Sequence, residues 1–179
     1  MTTADDCRFP AALAAALSGP FQYGDDSGVD FEPFDHFLPA ADATDWLRAW
    51  TGNRGLSGDG FRMFGRDGSG GHAAFWLTNP GRVIDDQPVV FLGSEGDAAV
   101  VARDLPDFLW LLAGGYGPLE ATPAFTTVYQ PNWIPRPNPE LIATAERFAG
   151  GPRRAAAEVI ERAAREFPDF DSTMMELCR

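Results

Sequence analysis

Between Phe61 and Ala102 the chain sets four short apolar runs between glycine-rich links, and this spacing restricts the fold more than any other feature. The runs are Phe61–Phe64, His72–Leu77, Pro88–Leu92 and Ala98–Ala102. Gly65-Arg66-Asp67-Gly68-Ser69-Gly70-Gly71, Asn79-Pro80-Gly81 and Gly93-Ser94-Glu95-Gly96-Asp97 separate them. Parallel strands need crossovers of a dozen residues or more, so short strands with tight links predict an antiparallel meander. Glycine at these turns supplies positive φ, and Asp67 is expected to bond the backbone two residues on.

Helical patterns flank the meander. Pro10–Leu17 reads as a short helix with proline in its first turn and Gly19-Pro20 beyond it. A second helix is expected from about Asp42 to Trp50, with Asp42 as its cap and Trp46, Leu47 and Trp50 on one face. A third starts near Asp104 or Leu105 and stops at Gly114-Gly115. Its Phe108-Leu109-Trp110-Leu111-Leu112 run is apolar on nearly every face, which predicts a helix deep in the core. Two more are expected to finish the chain, one from Asn138 to Gly150 and one from about Pro152 to Phe167. In the second of these, Glu158 with Arg162 and Glu161 with Arg165 fall at i,i+4 spacing. Residues 20–37 read as an irregular aromatic and acidic loop. Residues 116–137 read as a Pro-rich segment with one strand-like patch at Phe125–Tyr129. There is no internal repeat and no long linker, so residues 1–179 are expected to form a single α+β domain. Its sheet would be mainly antiparallel, flanked by N-terminal and C-terminal helices, with 138–179 as a C-terminal helical extension.

Composition narrows the function classes. The 45% hydrophobic content excludes wholesale disorder. No apolar run approaches a bilayer's thickness, and the first residues lack the basic start of a secretory signal, so a cytosolic protein away from membranes is expected. The net charge is −12, and all 14 basic residues are arginine. Such a surface repels phosphate backbones, which disfavours direct nucleic-acid binding and favours a basic protein partner. The acid is concentrated where no basic residue stands, between Arg8 and Arg48. Asp25, Asp26, Asp30, Glu32 and Asp35 lie in that gap and are the candidate partner-binding residues. A plainly solvated acidic surface is the simpler account of the same charges.

Motifs for chemistry are sparse. Asp67-Gly68-Ser69-Gly70-Gly71 could form a nest for an anion, but it lacks a P-loop's Gly-Lys-Ser/Thr ending and leads into no helix. A hairpin connection accounts for it, so Gly65, Asp67, Gly68 and Gly70 are read as structural. His36 and His72 are the only histidines, and no Gly-x-Ser-x-Gly nucleophile motif accompanies them. Asp85-Asp86 lacks metal-loop spacing. Cys7 and Cys178 have no zinc pattern and read as reduced thiols. Trp133 reads as a packed plug, with an exposed interface anchor as the alternative. No catalytic residue, metal or cofactor is expected.

The order of Phe64-Gly65-Arg66-Asp67-Gly68-Ser69-Gly70-Gly71, Ala73-Ala74-Phe75-Trp76, Pro88–Leu92 and Val100–Leu109 resembles the SUKH superfamily. That group includes fungal cell-wall-synthesis regulators and bacterial immunity proteins. The resemblance covers residues 38–113. Asp104-Leu105-Pro106-Asp107-Phe108-Leu109 stands where the family has a serine-aromatic helix start. The resemblance implies an α+β fold and a non-catalytic binding role, with a toxin, often a nuclease, as the bacterial members' partner. A regulatory or scaffolding protein without a toxin partner is the alternative, and a small hydrolase a third reading.

Overall fold

In the computed structural model the middle of the chain forms an antiparallel sheet whose strands follow one another in sequence order. The structure describes residues 7–19, 21, 28–125, 127 and 132–178. Five strands take part: β1 (Glu32–Pro33), β2 (Phe61–Arg66), β3 (His72–Trp76), β4 (Val89–Leu92) and β5 (Ala98–Ala102). The four expected strands are present. β1 is not among them, because the sequence of 20–37 carries no strand periodicity. It is held instead by backbone pairing of Glu32 with Arg66 and Pro33 with Gly65. Phe34 N–H donates to the Phe64 carbonyl at 2.9 Å, and Leu38 N–H to that of Met63 at 2.8 Å.

Among the described residues six α-helices surround the sheet: α1 (Ala11–Leu17), α2 (Ala40–Thr51), α3 (Leu105–Ala113), α4 (Pro139–Phe148), α5 (Ala156–Glu166) and α6 (Phe170–Leu177). The protein is thus a single α+β domain. Successive side chains of a strand point to opposite faces, so the sheet feeds two apolar clusters. One face presents Phe64, Phe75, Val89, Phe91 and Val101 to α1, α3 and α4. The other presents Phe61, Met63, Ala74, Val90, Leu92 and Val100 to α2 and α6. α5 packs along β5 and supplies Val159 to the first cluster and Ala163 to the second. The β2–β3 register shifts between Met63 and Gly65, which leaves Phe64 as the extra residue on β2.

α3 is buried from Leu105 to Ala113 apart from Pro106, as its apolar run Phe108–Leu112 predicts. It lies between the sheet and α4. Asp104 caps it by accepting the Asp107 N–H at 2.8 Å. Asp104→Ala should therefore cost about 1 kcal/mol, read as a lower urea midpoint, while Asp104→Asn, which keeps the acceptor, should lose much less. A cost within error of zero for the alanine variant would show that the cap contributes nothing.

The structure corrects several boundaries. α2 begins two residues earlier than expected, at Ala40, and Pro39 rather than Asp42 stands at its cap. α5 begins at Ala156, because Gly150 turns the chain with a φ of +63° and the segment that follows stays non-helical as far as Ala155. Pro168 ends α5, but helix resumes as α6, so three helices finish the chain rather than two. Phe170 and Met174 of α6 close the second cluster, and that burial makes the short helix worthwhile. Of the strand-like patch at Phe125–Tyr129, Phe125 and Thr127 are helical, and the remaining positions lie outside the described residues. Trp133 packs edge-on against Tyr116 and Phe125, which is the plug reading. Among the described residues no helix is long and apolar enough to cross a membrane.

Candidate functional site

Two hairpin turns and α2 meet at one end of the sheet. In the β2–β3 turn, the Asp67 carboxylate turns inward and is 3% exposed. Its Oδ1 accepts the N–H groups of Ser69 at 3.0 Å and Gly71 at 2.7 Å. The Ser69 hydroxyl donates to the same carboxylate. The expected Asx-type bond is therefore present, with a second bond beside it. Gly70 takes φ +95°, a value L side chains rarely adopt. At Gly65 the Phe31 ring crosses so closely that a Cβ would lie 2.4 Å from it. The N–H of Gly68 goes to Asp30 Oδ1 at 2.8 Å. The turn's N–H groups at 68, 69 and 71 are thus occupied by the protein's own carboxylates, and the anion nest is already filled.

Ser69 Oγ and Ser94 Oγ lie 2.9 Å apart and join this turn to the β4–β5 turn. Gly93 in that second turn accepts the Trp50 indole N–H at 2.7 Å. Trp50 stacks on Trp46 with ring centroids 5.8 Å apart. Trp46 meets His72 at 4.4 Å, and Phe34 meets His72 at 5.8 Å. His72 is buried, and that burial holds its pKa below the usual histidine range. Phe34, Trp46 and Trp50 remain half-buried, so they present a ledge of aromatic rings to solvent. Asp35 adjoins Phe34, while Asp42 and Asp45 stand one turn before Trp46 and beside it on α2. All three carboxylates are exposed, and none has an ion-pair partner among the described residues. The neighbouring cation, Arg48, donates to the Leu56 carbonyl at 2.9 Å.

Of the candidate carboxylates among the described residues, two already have partners within the fold. Asp30 is tied to Gly68, and Glu32 is paired with Arg66 at 2.9 Å, which lowers the pKa of Glu32. Asp35 alone of the described three is unpaired and exposed. Asp25 and Asp26 lie outside the described residues. Local sequence shows a run of acids but not the strand pairing that sets Glu32 opposite Arg66.

Among the described residues neither histidine hydrogen-bonds a serine. His36 Nδ1 meets the Phe37 carbonyl at 2.9 Å, and His72 Nδ1 meets that of Gly70 at 3.1 Å. Among the described residues no group of three His, Cys, Asp or Glu side chains is placed to hold a metal. Asp85 and Asp86 sit in a short 3₁₀ turn, where burial and then Asp86 raise the pKa of Asp85. Cys7 is half-buried and Cys178 exposed, and both are free thiols.

Two buried acids escaped the sequence reading. Asp107, 1% exposed, meets Arg154 at 3.1 Å and Arg162 at 3.4 Å, fastening α3 to α5 and to the segment just before it. Arg162 therefore serves Asp107, and Glu158 lies 3.8 Å from Arg154, in place of the expected Glu158–Arg162 pair. The signal was available: one acid inside an otherwise apolar helix demands a partner. Glu120, 2% exposed, carried no such signal, because its segment has no periodicity from which burial can be read. No family model, no curated protein and no solved structure matches this chain.

Proposed function

We propose that the protein is a non-catalytic binding module that docks a basic protein partner on the Phe34–Trp46–Trp50 ledge and its carboxylate rim. The observation that carries this reading is the adjacency in the chain of partly buried aromatic rings to three exposed carboxylates without ion partners among the described residues. Aromatic side chains dominate binding energy at interface centres, while unpaired charges at the rim steer encounter and set partner choice. The net charge of −12 extends the same attraction over a longer range. The rim is redrawn from the sequence expectation: Asp35 stays, Asp42 and Asp45 join it, and Asp30 and Glu32 serve the fold. The motif resemblance to SUKH immunity proteins supports a toxin as the partner, a nuclease among the candidates. Its nucleic-acid-binding surface would supply the positive charge.

The test is affinity capture from the native cell at low and high salt. The wild-type protein should retain a specific basic protein at low salt and release it at high salt. A variant carrying Asp35→Asn, Asp42→Asn and Asp45→Asn should fail to retain it. An equal neutralisation of exposed acids on α4 and α5, Glu140→Gln, Glu146→Gln and Glu161→Gln, should retain it normally. Capture that ignores the three aspartates, or the lack of any basic protein, would sink the proposal.

A further inference from the structure

Glu120 is buried in a slot where the 29–31 segment meets its own 117–120 segment. Its Oε1 accepts the Asp30 N–H at 2.8 Å. Its Oε2 is buried with no hydrogen-bond partner among the described residues. The slot exists because residue 117 is glycine: a Cβ there would lie 2.6 Å from Oε2 and 2.2 Å from Val29 Cγ1. Asp30, gripped by Glu120 through its backbone, grips Gly68 through its carboxylate. Gly68 belongs to the turn whose Ser69 reaches Ser94 and whose Gly70 carbonyl meets His72 beneath the aromatic ledge. A continuous line of contacts therefore runs from Glu120 to the candidate docking surface.

We infer that Glu120 is a protonation-sensitive latch on that surface: neutral, it holds the Asp30 segment against the β2–β3 turn, and ionised, it releases it. A neutral acid tolerates such a slot, whereas a carboxylate loses hydration that the nearby backbone N–H groups do not fully replace. Burial, the largest influence, pushes the Glu120 pKa up to about 7. The Asp30 carboxylate adds repulsion, against backbone N–H groups of Asp30, Gly117 and Glu120 itself, which favour the anion. Asp30 is the charged group that faces Glu120, and Asp67 in turn repels Asp30. The regulatory meaning rests on the docking reading: partner binding should be tighter below neutral pH than above it.

The latch can be tested without a partner. In the full-length protein, protection of the Gly68 amide from hydrogen exchange is followed from about pH 5 to about pH 8.5, corrected for intrinsic exchange. Wild-type protection should fall roughly a hundredfold, since a group with so raised a pKa favours the opened state as it ionises. In Glu120→Gln the corrected protection should be flat. Asp30→Asn, which keeps an acceptor for Gly68 but removes the facing charge, should move the midpoint to lower pH. Equal pH dependence in wild type and Glu120→Gln, or an unmoved midpoint in Asp30→Asn, would overturn the latch. Either failure would leave the docking surface standing, and failure of the aspartate neutralisation would leave the latch standing.

Discussion

Replacing Phe64 by alanine is expected to lower the unfolding free energy by about 4 kcal/mol, measured by urea denaturation at fixed pH. Phe64 is fully buried on the sheet face that α3 covers. Its ring meets Phe75 and Phe108 at 5.4 Å each and Phe31 at 6.2 Å. Those contacts join β2 to β3, to α3 and to the segment leading into β1. Truncation leaves a cavity bounded by a strand and a buried helix, neither of which collapses easily. Phe64→Leu, which restores most of the volume, should lose far less. A loss below about 1.5 kcal/mol for the alanine variant would mean that this face of the sheet is not the packed core described.

The second large effect is on the pH dependence of stability. The folded pKa of Glu120, about 7, lies above its ordinary 4.5, so the folded chain keeps a proton that the unfolded chain has already lost. Stability from this group is therefore full below about pH 4.5 and is lost as pH rises towards 7. A shift of this size corresponds to about 3 kcal/mol. The difference between the wild-type and Glu120→Gln stability curves should grow by about that amount across the window and then level off. Taking the difference removes the contributions of His72, whose lowered pKa acts with opposite sign, and of Asp85 and Asp107, whose raised pKa values act with the same sign. The amide adds only a constant offset. A difference curve that is flat from pH 4.5 to 7 would show that Glu120 is hydrated in solution.

The elements with local signatures were legible in the chain. Glycine at Gly70 and the Asp67 side chain announce their turn, and the run Phe108–Leu112 announces a buried helix, because short-range chemistry decides both. What was not legible depends on partners far along the chain. β1 becomes a strand because β2 offers it a ladder, not because Glu32-Pro33 favours extended structure. α6 forms because Phe170 and Met174 find an unfilled end of the second cluster. The site shows the same division. Its acidity and its tryptophans were visible, but the sequence could not show that Asp30 and Glu32 are consumed by Gly68 and Arg66. Nor could it show that Asp42 and Asp45 would take their place beside Trp46.

The central claim is that the aromatic ledge and its three aspartates form a docking surface for a basic protein. The most direct measurement is the association rate of the captured partner at low salt, with wild type and with the Asp35→Asn, Asp42→Asn, Asp45→Asn variant. The account predicts that association slows by about tenfold or more and that the difference shrinks as salt is raised. Equal association rates at low salt would contradict it.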